Sequence, residues 1–217
     1  MREDTKTITF ALGVCLICSV LLSGLAAGLK SIQTANQAFD VKRNIVKAFG
    51  VDISTLTRLE IEETYAAHII EENIETSSGQ VPVYTWQDDQ DQAPSKYAFP
   101  ISGKGLWSMM YGYLSVESDL ETVAGISFYK HGETPGLGAE IEKTWFQSQF
   151  AGKKLYANGK PTNFRVLKPG SSLDDTSVDG ISGSTMTSKG VEALIQKDAA
   201  TYADYFDSIR FNTIRGG

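Results

Sequence analysis

The stretch "DGISGSTMTSKG", residues 179–190, sets five hydroxyl side chains and three glycines behind one aspartate, and an amphipathic pattern begins directly after it. Val191, Leu194, Ile195, Tyr202, Tyr205 and Ile209 fall on one broad face at helical spacing, so a long terminal helix is expected from about Thr187 or Ser188. Ser182–Thr187 then forms the loop that feeds its N-terminus. Unpaired backbone N–H groups and the positive end of the helix dipole make such a loop a natural phosphate site. Gly180 and Gly183 allow the backbone to come close to a ligand. Ordinary capping by Thr187 or Ser188 accounts for one hydroxyl and leaves the others without a task. A serine nucleophile would need a base; the chain has only His68 and His131 and no Gly-x-Ser-x-Gly elbow, which argues against a hydrolase.

Upstream of this turn, helical and strand patterns are mixed. Ile32, Ala35, Phe39, Val46 and Phe49 keep helical spacing up to Gly50, and a second helix is expected from about Ser54 to Glu72 on Leu56, Leu59, Tyr65 and Ile69. Val81–Trp86, Met109–Glu117, Val123–Tyr129 and Asn163–Leu167 read as strands, and Ala139–Phe150 as a helix. Gln87–Ser95, "QDDQDQAPS", is polar and proline-bearing and reads as a solvated loop. This mixture predicts an α+β domain built around one sheet.

At the other end, Ile8–Leu29 runs 22 residues without a charge. As a helix it would extend roughly 33 Å, against about 30 Å for a bilayer core. A cleaved signal peptide usually has a shorter apolar run, and the lipoprotein-like Leu12–Cys15 would strand further apolar residues after cleavage, so a single retained anchor is expected. Flanking charge does not orient it: Arg2 and Lys6 precede the segment, while Lys30, Lys42, Arg43 and Lys47 follow. Cys15 and Cys18 are the only cysteines and both lie in the apolar segment, where two small side chains are a simpler reading than a metal or cluster site. A net charge of −6 and pI near 5.0, with no basic stripe, argue against nucleic acid as a partner.

Three motifs carry a resemblance. Asp179-Gly180-Ile181-Ser182-Gly183-Ser184-Thr185 matches the Asp-x-x-Ser/Thr-Gly-Ala-Thr signature of proteins that carry FMN through a phosphoester to threonine. "HGETPGLGAEI", His131–Ile141, and "GKGLWSMMYGYL", Gly103–Leu114, extend the match. Over essentially its whole length the chain resembles the C-subunit family of the sodium-translocating NADH:quinone oxidoreductases. The G subunit of the Rnf complex shares part of the pattern and is the alternative within it. An anchored binding or assembly domain without redox chemistry is the alternative from another class.

The resemblance implies a membrane-bound flavoprotein that relays electrons between partner subunits, with no complete catalytic activity in this chain alone. It maps the covalent FMN onto Thr185, installed from FAD by a separate flavin transferase, with Thr187 and Ser184 as rival acceptors; Ser184 stands where the family usually has alanine. Ser182, Gly183 and Ser184 would line the phosphate, and Asp179 would help the transferase seat the acceptor. Thr134, Gly136, Leu137 and Gly138 would form a turn against the flavin, His131 and Glu133 would bond its ribityl chain or ring, and Trp107 and Tyr111 offer faces for stacking. It further implies a mixed, mainly antiparallel sheet with flanking helices. The expected order is a cytoplasmic tail 1–7, an inner-membrane helix 8–29 in contact with lipid, a stalk helix 30–50 and a periplasmic FMN-binding domain 51–217 of a bacterial protein. No nicotinamide fingerprint follows a strand, and no cysteine set outside the apolar segment could hold an iron–sulfur cluster.

Overall fold

The computed structural model describes residues 2–76, 79–89 and 93–215. Residues 1–40 and 41–217 form two separate units. In the first, the described residues are all helical and belong to α1 (Arg2–Ala48), which by length and composition is able to cross a membrane. Its apolar side chains between Ile8 and Leu29 are exposed.

The second unit opens with the last turns of α1, where Ile45, Val46, Ala48 and the following Phe49 are almost fully buried. Gly50, at φ +87°, ends the helix in the left-handed conformation that glycine adopts without strain. Carbonyls left over at a helix end need donors, and here Ser115 and Lys96 supply them, while Ser127 adds a second donor to a carbonyl one turn earlier. The Ser115 hydroxyl donates to Ala48 O, Ser127 Oγ donates to Asn44 O at 2.8 Å, and Lys96 Nζ donates to Phe49 O at 3.0 Å.

α2 (Arg58–His68) starts at a capping box, in which the Glu60 N–H donates to Thr57 Oγ1 and the Thr57 N–H donates to Glu60 Oε2 at 2.7 Å. It is shorter than the sequence suggests. Ile69 and Ile70 leave the helix and open β1 (Ile69–Thr76), which pairs antiparallel with β2 (Gly79–Trp86) through Ile69 opposite Trp86. β3 (Lys96–Lys104), β4 (Met109–Glu117) and β5 (Val123–Lys130) complete an antiparallel meander in the order β1-β2-β3-β4-β5. Pro100 sits in β3 beyond the three pairs that β3 makes with β2, so its missing N–H breaks no bond on that side. Of the expected loop Gln87–Ser95, residues 90–92 lie outside the described residues, and the others form neither helix nor strand.

Residues 138–181 use short elements. The helix expected over Ala139–Phe150 is instead a 3₁₀ turn, Gly138–Glu142, followed by a single-turn α3 (Thr144–Gln147). β6 (Tyr156–Ala157) and β7 (Lys160–Pro161) form a small hairpin. The strand expected over Asn163–Leu167 shrinks to β8 (Arg165–Leu167), which pairs in parallel with β9 (Ser177–Asp179). α4 (Thr185–Arg215) then lies on the sheet, and Val191, Leu194, Ile195, Ala199, Tyr202 and Phe206 join Phe99, Ile101, Met110 and Leu114 in one core. The contact is close enough that a Cβ on Gly103 would lie 2.5 Å from Leu194 Cβ. The architecture is α+β, with a mainly antiparallel sheet and flanking helices.

Candidate functional site

β9 ends at Asp179, whose main chain is held by Gln149: the Asp179 N–H donates to Gln149 Oε1 at 3.0 Å, and Gln149 Nε2 donates back to Asp179 O. The Asp179 carboxylate accepts from the Gly170 N–H at 3.1 Å, which fixes the two sides of the loop between β8 and β9. Next, Gly180 donates to Leu167 O at 2.7 Å in a space where a Cβ would meet both that oxygen and Ser188 Oγ at 2.8 Å. A turn follows in which the Ser184 N–H donates to Ile181 O and Gly183 takes φ +74°.

The helix begins earlier than the sequence suggests. Ser184 O accepts from the Ser188 N–H at 3.0 Å, the first bond of α4, so Ser184 occupies the cap position and Thr185 is the first helical residue. Ser188 is within the helix, and its Oγ reaches back to accept from the Ile181 N–H at 3.0 Å. This sorts the five hydroxyls. Ser184, Thr187 and Ser188 are buried, Thr187 at 1% exposure, while Ser182 and Thr185 face solvent. The N–H groups of Thr185, Met186 and Thr187 precede the first intrahelical bond and point out of the helix end.

Glu133 ties this helix to the two other motifs. Its carboxylate, 5% exposed, accepts from the N–H groups of Leu106, Trp107 and Ser108 at 3.0–3.2 Å and from Thr187 Oγ1 at 2.6 Å. Burial opposes the charge, but the Thr187 hydroxyl and the backbone N–H groups outweigh it and hold the carboxyl below the usual glutamate range. Glycines permit the convergence. A Cβ on Gly105 would lie 2.5 Å from Glu133 Oε1, and one on Gly138 would lie 2.7 Å from Thr187 Oγ1. The three motifs, far apart in sequence, therefore meet at one carboxylate.

The expected site residues occupy distinct places around it. In the turn Thr134–Gly138, Thr134 O accepts from the N–H groups of Leu137 and Ala139, Gly136 takes φ +72°, and Leu137 is turned outward. A Cβ on Gly183 would lie 3.2 Å from Leu137 Cδ2, so this turn touches the hydroxyl turn. Trp107 is 70% exposed and Met186 62%, which rules out core packing as the task of Trp107. Glu133 is used internally, whereas His131 Nδ1 accepts from the Glu133 N–H and its Nε2, 2.9 Å from Glu142 Oε1, makes no hydrogen bond. Tyr111 joins none of the three loops. Strand alternation puts it on the sheet face opposite Met110, with Tyr129 and Lys130 as neighbours.

Two features escape the sequence reading. Met186 adds an apolar side chain beside Thr185, and a cleft of about 300 Å³ borders Thr185, lined by Lys168, Pro169, Ser171 and Lys189 among others. Lys168-Pro169-Gly170 reads as an ordinary turn, and only the pairing of β8 with β9 brings it to the helix start. FMN needs donors for a phosphate and an apolar surface for a flat ring. The free N–H groups at Thr185–Thr187 and the exposed Trp107, Leu137 and Met186 fit those needs.

The FMN-binding domain family matches residues 105–199, which contain the Glu133 junction and the hydroxyl turn. The C subunit of the Na(+)-translocating NADH-quinone reductase of Yersinia pestis is 32% identical over 227 residues, covering 86% of this chain and 85% of that protein. The chain belongs to the C-subunit family of Na(+)-translocating NADH-quinone reductases. Members of that family have been solved. The crystal structure of the C subunit from Parabacteroides distasonis superposes with a TM-score of 0.69 at 36% identity, covering 80% of this chain and 94% of that one. That of Shewanella oneidensis NqrC gives 0.72 at 25% identity, with coverages of 81% and 99%.

Proposed function

We propose that this protein carries FMN on Thr185 through a phosphoester and relays electrons between the other subunits of the membrane complex that oxidises NADH, reduces quinone and exports Na+. One observation carries the assignment of the acceptor. Among the five hydroxyls, Thr185 alone combines solvent exposure with the first helical position, where N–H groups are unpaired. Thr187 is buried and its proton is committed to Glu133; Ser184 is buried at the cap. Installation by a flavin transferase balances as a transfer: Thr185 Oγ1 displaces AMP from FAD, forming one O–P bond as the pyrophosphate bond breaks, and the hydroxyl proton leaves with AMP. Asp179, which accepts from the Gly170 N–H, helps that enzyme seat or activate the acceptor.

Bound at this position, FMN supplies one- and two-electron redox chemistry. The chain's own contribution is to bind and orient. The start of α4 favours the remaining phosphate charge by about 0.3–1 kcal/mol. Ser182, Gly183 and Ser184 shape the turn beside it, and Trp107, Leu137 and Met186 offer the ring an apolar surface that excludes water from one side. Thr134, Gly136 and Gly138 place Leu137 there. In this reading residues 8–29 lie in lipid of the inner membrane, the tail 1–7 is cytoplasmic, and the stalk 30–50 leads to a periplasmic domain 51–217.

The test is peptide mass spectrometry on protein from cells that contain the transferase. The fragment with Thr185 gains the mass of FMN less water, Thr185→Ala abolishes in-gel flavin fluorescence, and Thr187→Ala retains most of it. Flavin mass on Ser184 or Thr187 overturns the assignment.

A further inference from the structure

A second cleft, of about 620 Å³, lies apart from the Thr185 site and within the 41–217 unit. Its walls come from the last turns of α1, the segment Gly50–Ser54, the start of β5 and the region of α3. Arg43 and Lys47 stand one helical turn apart on its rim, so both reach the same wall. Among the described residues neither makes an ion pair with a carboxylate. Lys47 is half-buried, and desolvation, followed by repulsion from Arg43, lowers its pKa, with only a weaker pull from Glu142 in the other direction. An exposed Arg43 and a half-buried Lys47 on one wall of the cleft favour an anion between them.

A second observation is independent of the charges. Gln147 also lines the cleft and is 5% exposed; its Nε2 donates to Ile141 O at 3.0 Å, and its Oε1 has no hydrogen-bond partner. A buried amide oxygen without a donor costs about 1–3 kcal/mol, and native proteins leave few such groups unmet. It calls for a ligand that donates a hydrogen bond. Asp52, on the same cleft, is a second acceptor, while Thr144 adds a hydroxyl donor and Val51, Ile53 and Ile126 give apolar surface.

We propose that this cleft binds a phosphate ester whose alcohol portion carries a hydrogen-bond donor, such as an ethanolamine or glycerol phosphate. Arg43 and Lys47 hold the phosphate, whose several oxygens match their donors and the Thr144 hydroxyl better than a two-oxygen carboxylate does. Gln147 Oε1 and Asp52 accept from the ammonium or hydroxyl of the remainder. The volume falls within the range of small-molecule sites and exceeds the need of inorganic phosphate alone. The same chemistry occurs in a free phosphate ester and in a phospholipid headgroup.

The experiment uses the full chain in nonionic detergent, with calorimetric titration of ethanolamine phosphate and of inorganic phosphate. Ethanolamine phosphate is expected to bind saturably, and Arg43→Gln combined with Lys47→Gln weakens it by about tenfold or more, the size of two lost charge-assisted contacts. Gln147→Leu is expected to weaken ethanolamine phosphate several-fold while inorganic phosphate binding stays unchanged. Gln147→Met, with a circular-dichroism melt for each variant, keeps that arm readable if the leucine variant does not fold. Nanodiscs of phosphatidylcholine with and without phosphatidylethanolamine then separate the sources. Competition by the ethanolamine lipid identifies a headgroup site, and its absence identifies a free ester. No saturable binding of either phosphate probe, or equal affinity in the doubly substituted chain, overturns the proposal. Unchanged selectivity in both Gln147 variants removes the donor-bearing ligand and overturns it in that form.

Discussion

Glu133 spends its charge on backbone. Three N–H groups and the Thr187 hydroxyl converge on it, and a hydrogen bond to a charged group contributes about 1.5–3 kcal/mol net. Glu133→Gln keeps the shape but removes the charge and turns one acceptor into a donor facing N–H groups. It is expected to destabilise the chain by about 1.5–3 kcal/mol in urea denaturation at neutral pH. The sign with pH follows from the lowered carboxyl pKa. Its contribution is complete above the ordinary glutamate value of about 4.3 and fades as pH falls through the lower folded value. The gap between the parent chain and Glu133→Gln should therefore close in acid; a gap that is constant from neutral pH to pH of about 3 excludes this account. None of this is legible from residues 131–138. Those letters suggest a turn and two polar side chains, whereas the partners of Glu133 are backbone groups 25–27 positions away. The hydroxyl turn is more legible, because glycine and serine spacing alone points to a helix start. The burial that separates Thr185 from Thr187 depends on Gly138 and Glu133 and could only come from the fold.

Among the elements, the seam between the end of α1 and the sheet offers the sharpest test. Ser115 is fully buried and its hydroxyl donates to Ala48 O, while Gly125 leaves room for that same carbonyl; a Cβ there would lie 2.5 Å from it. Ser115→Ala leaves a buried carbonyl without its donor and is expected to cost about 1–3 kcal/mol, read as a lower denaturation midpoint with unchanged slope. Ser127→Ala removes only a second donor from Asn44 O, which keeps the helical bond from the Ala48 N–H, so it should cost less than Ser115→Ala. The sequence reading finds β2, β4 and β5 by strand-forming composition, although β4 and β5, buried on both faces, alternate poorly, and it finds the long α4 by helical spacing. It misses β1, because Leu59, Tyr65 and Ile69 continue at helical spacing into what becomes a strand. It misses β3, which contains Pro100, and the short overlap with β2 is what makes proline harmless there. It places the start of α4 two or three residues late, because Thr187 and Ser188 look like caps while Ser184 occupies the cap position.

At the scale of the whole molecule, the charges flanking the apolar helix do not decide which side of the membrane the FMN site occupies. A long domain can be translocated largely regardless of those charges, and the apolar helix can hold the chain in the bilayer. The periplasmic reading predicts that protease added to spheroplasts digests the 41–217 unit and removes its flavin fluorescence, while inverted vesicles protect both. Protection in spheroplasts places the domain in the cytoplasm and requires a modifying enzyme there. The shared carboxylate also bears on how this chain can change over generations. Because loop 105–108, the turn at Gly138 and the first turn of α4 lean on one side chain, substitutions in any two of them are not independent. A replacement tolerated in one lineage can be lethal in another whose second loop differs, so these three segments should accumulate variation together or hardly at all.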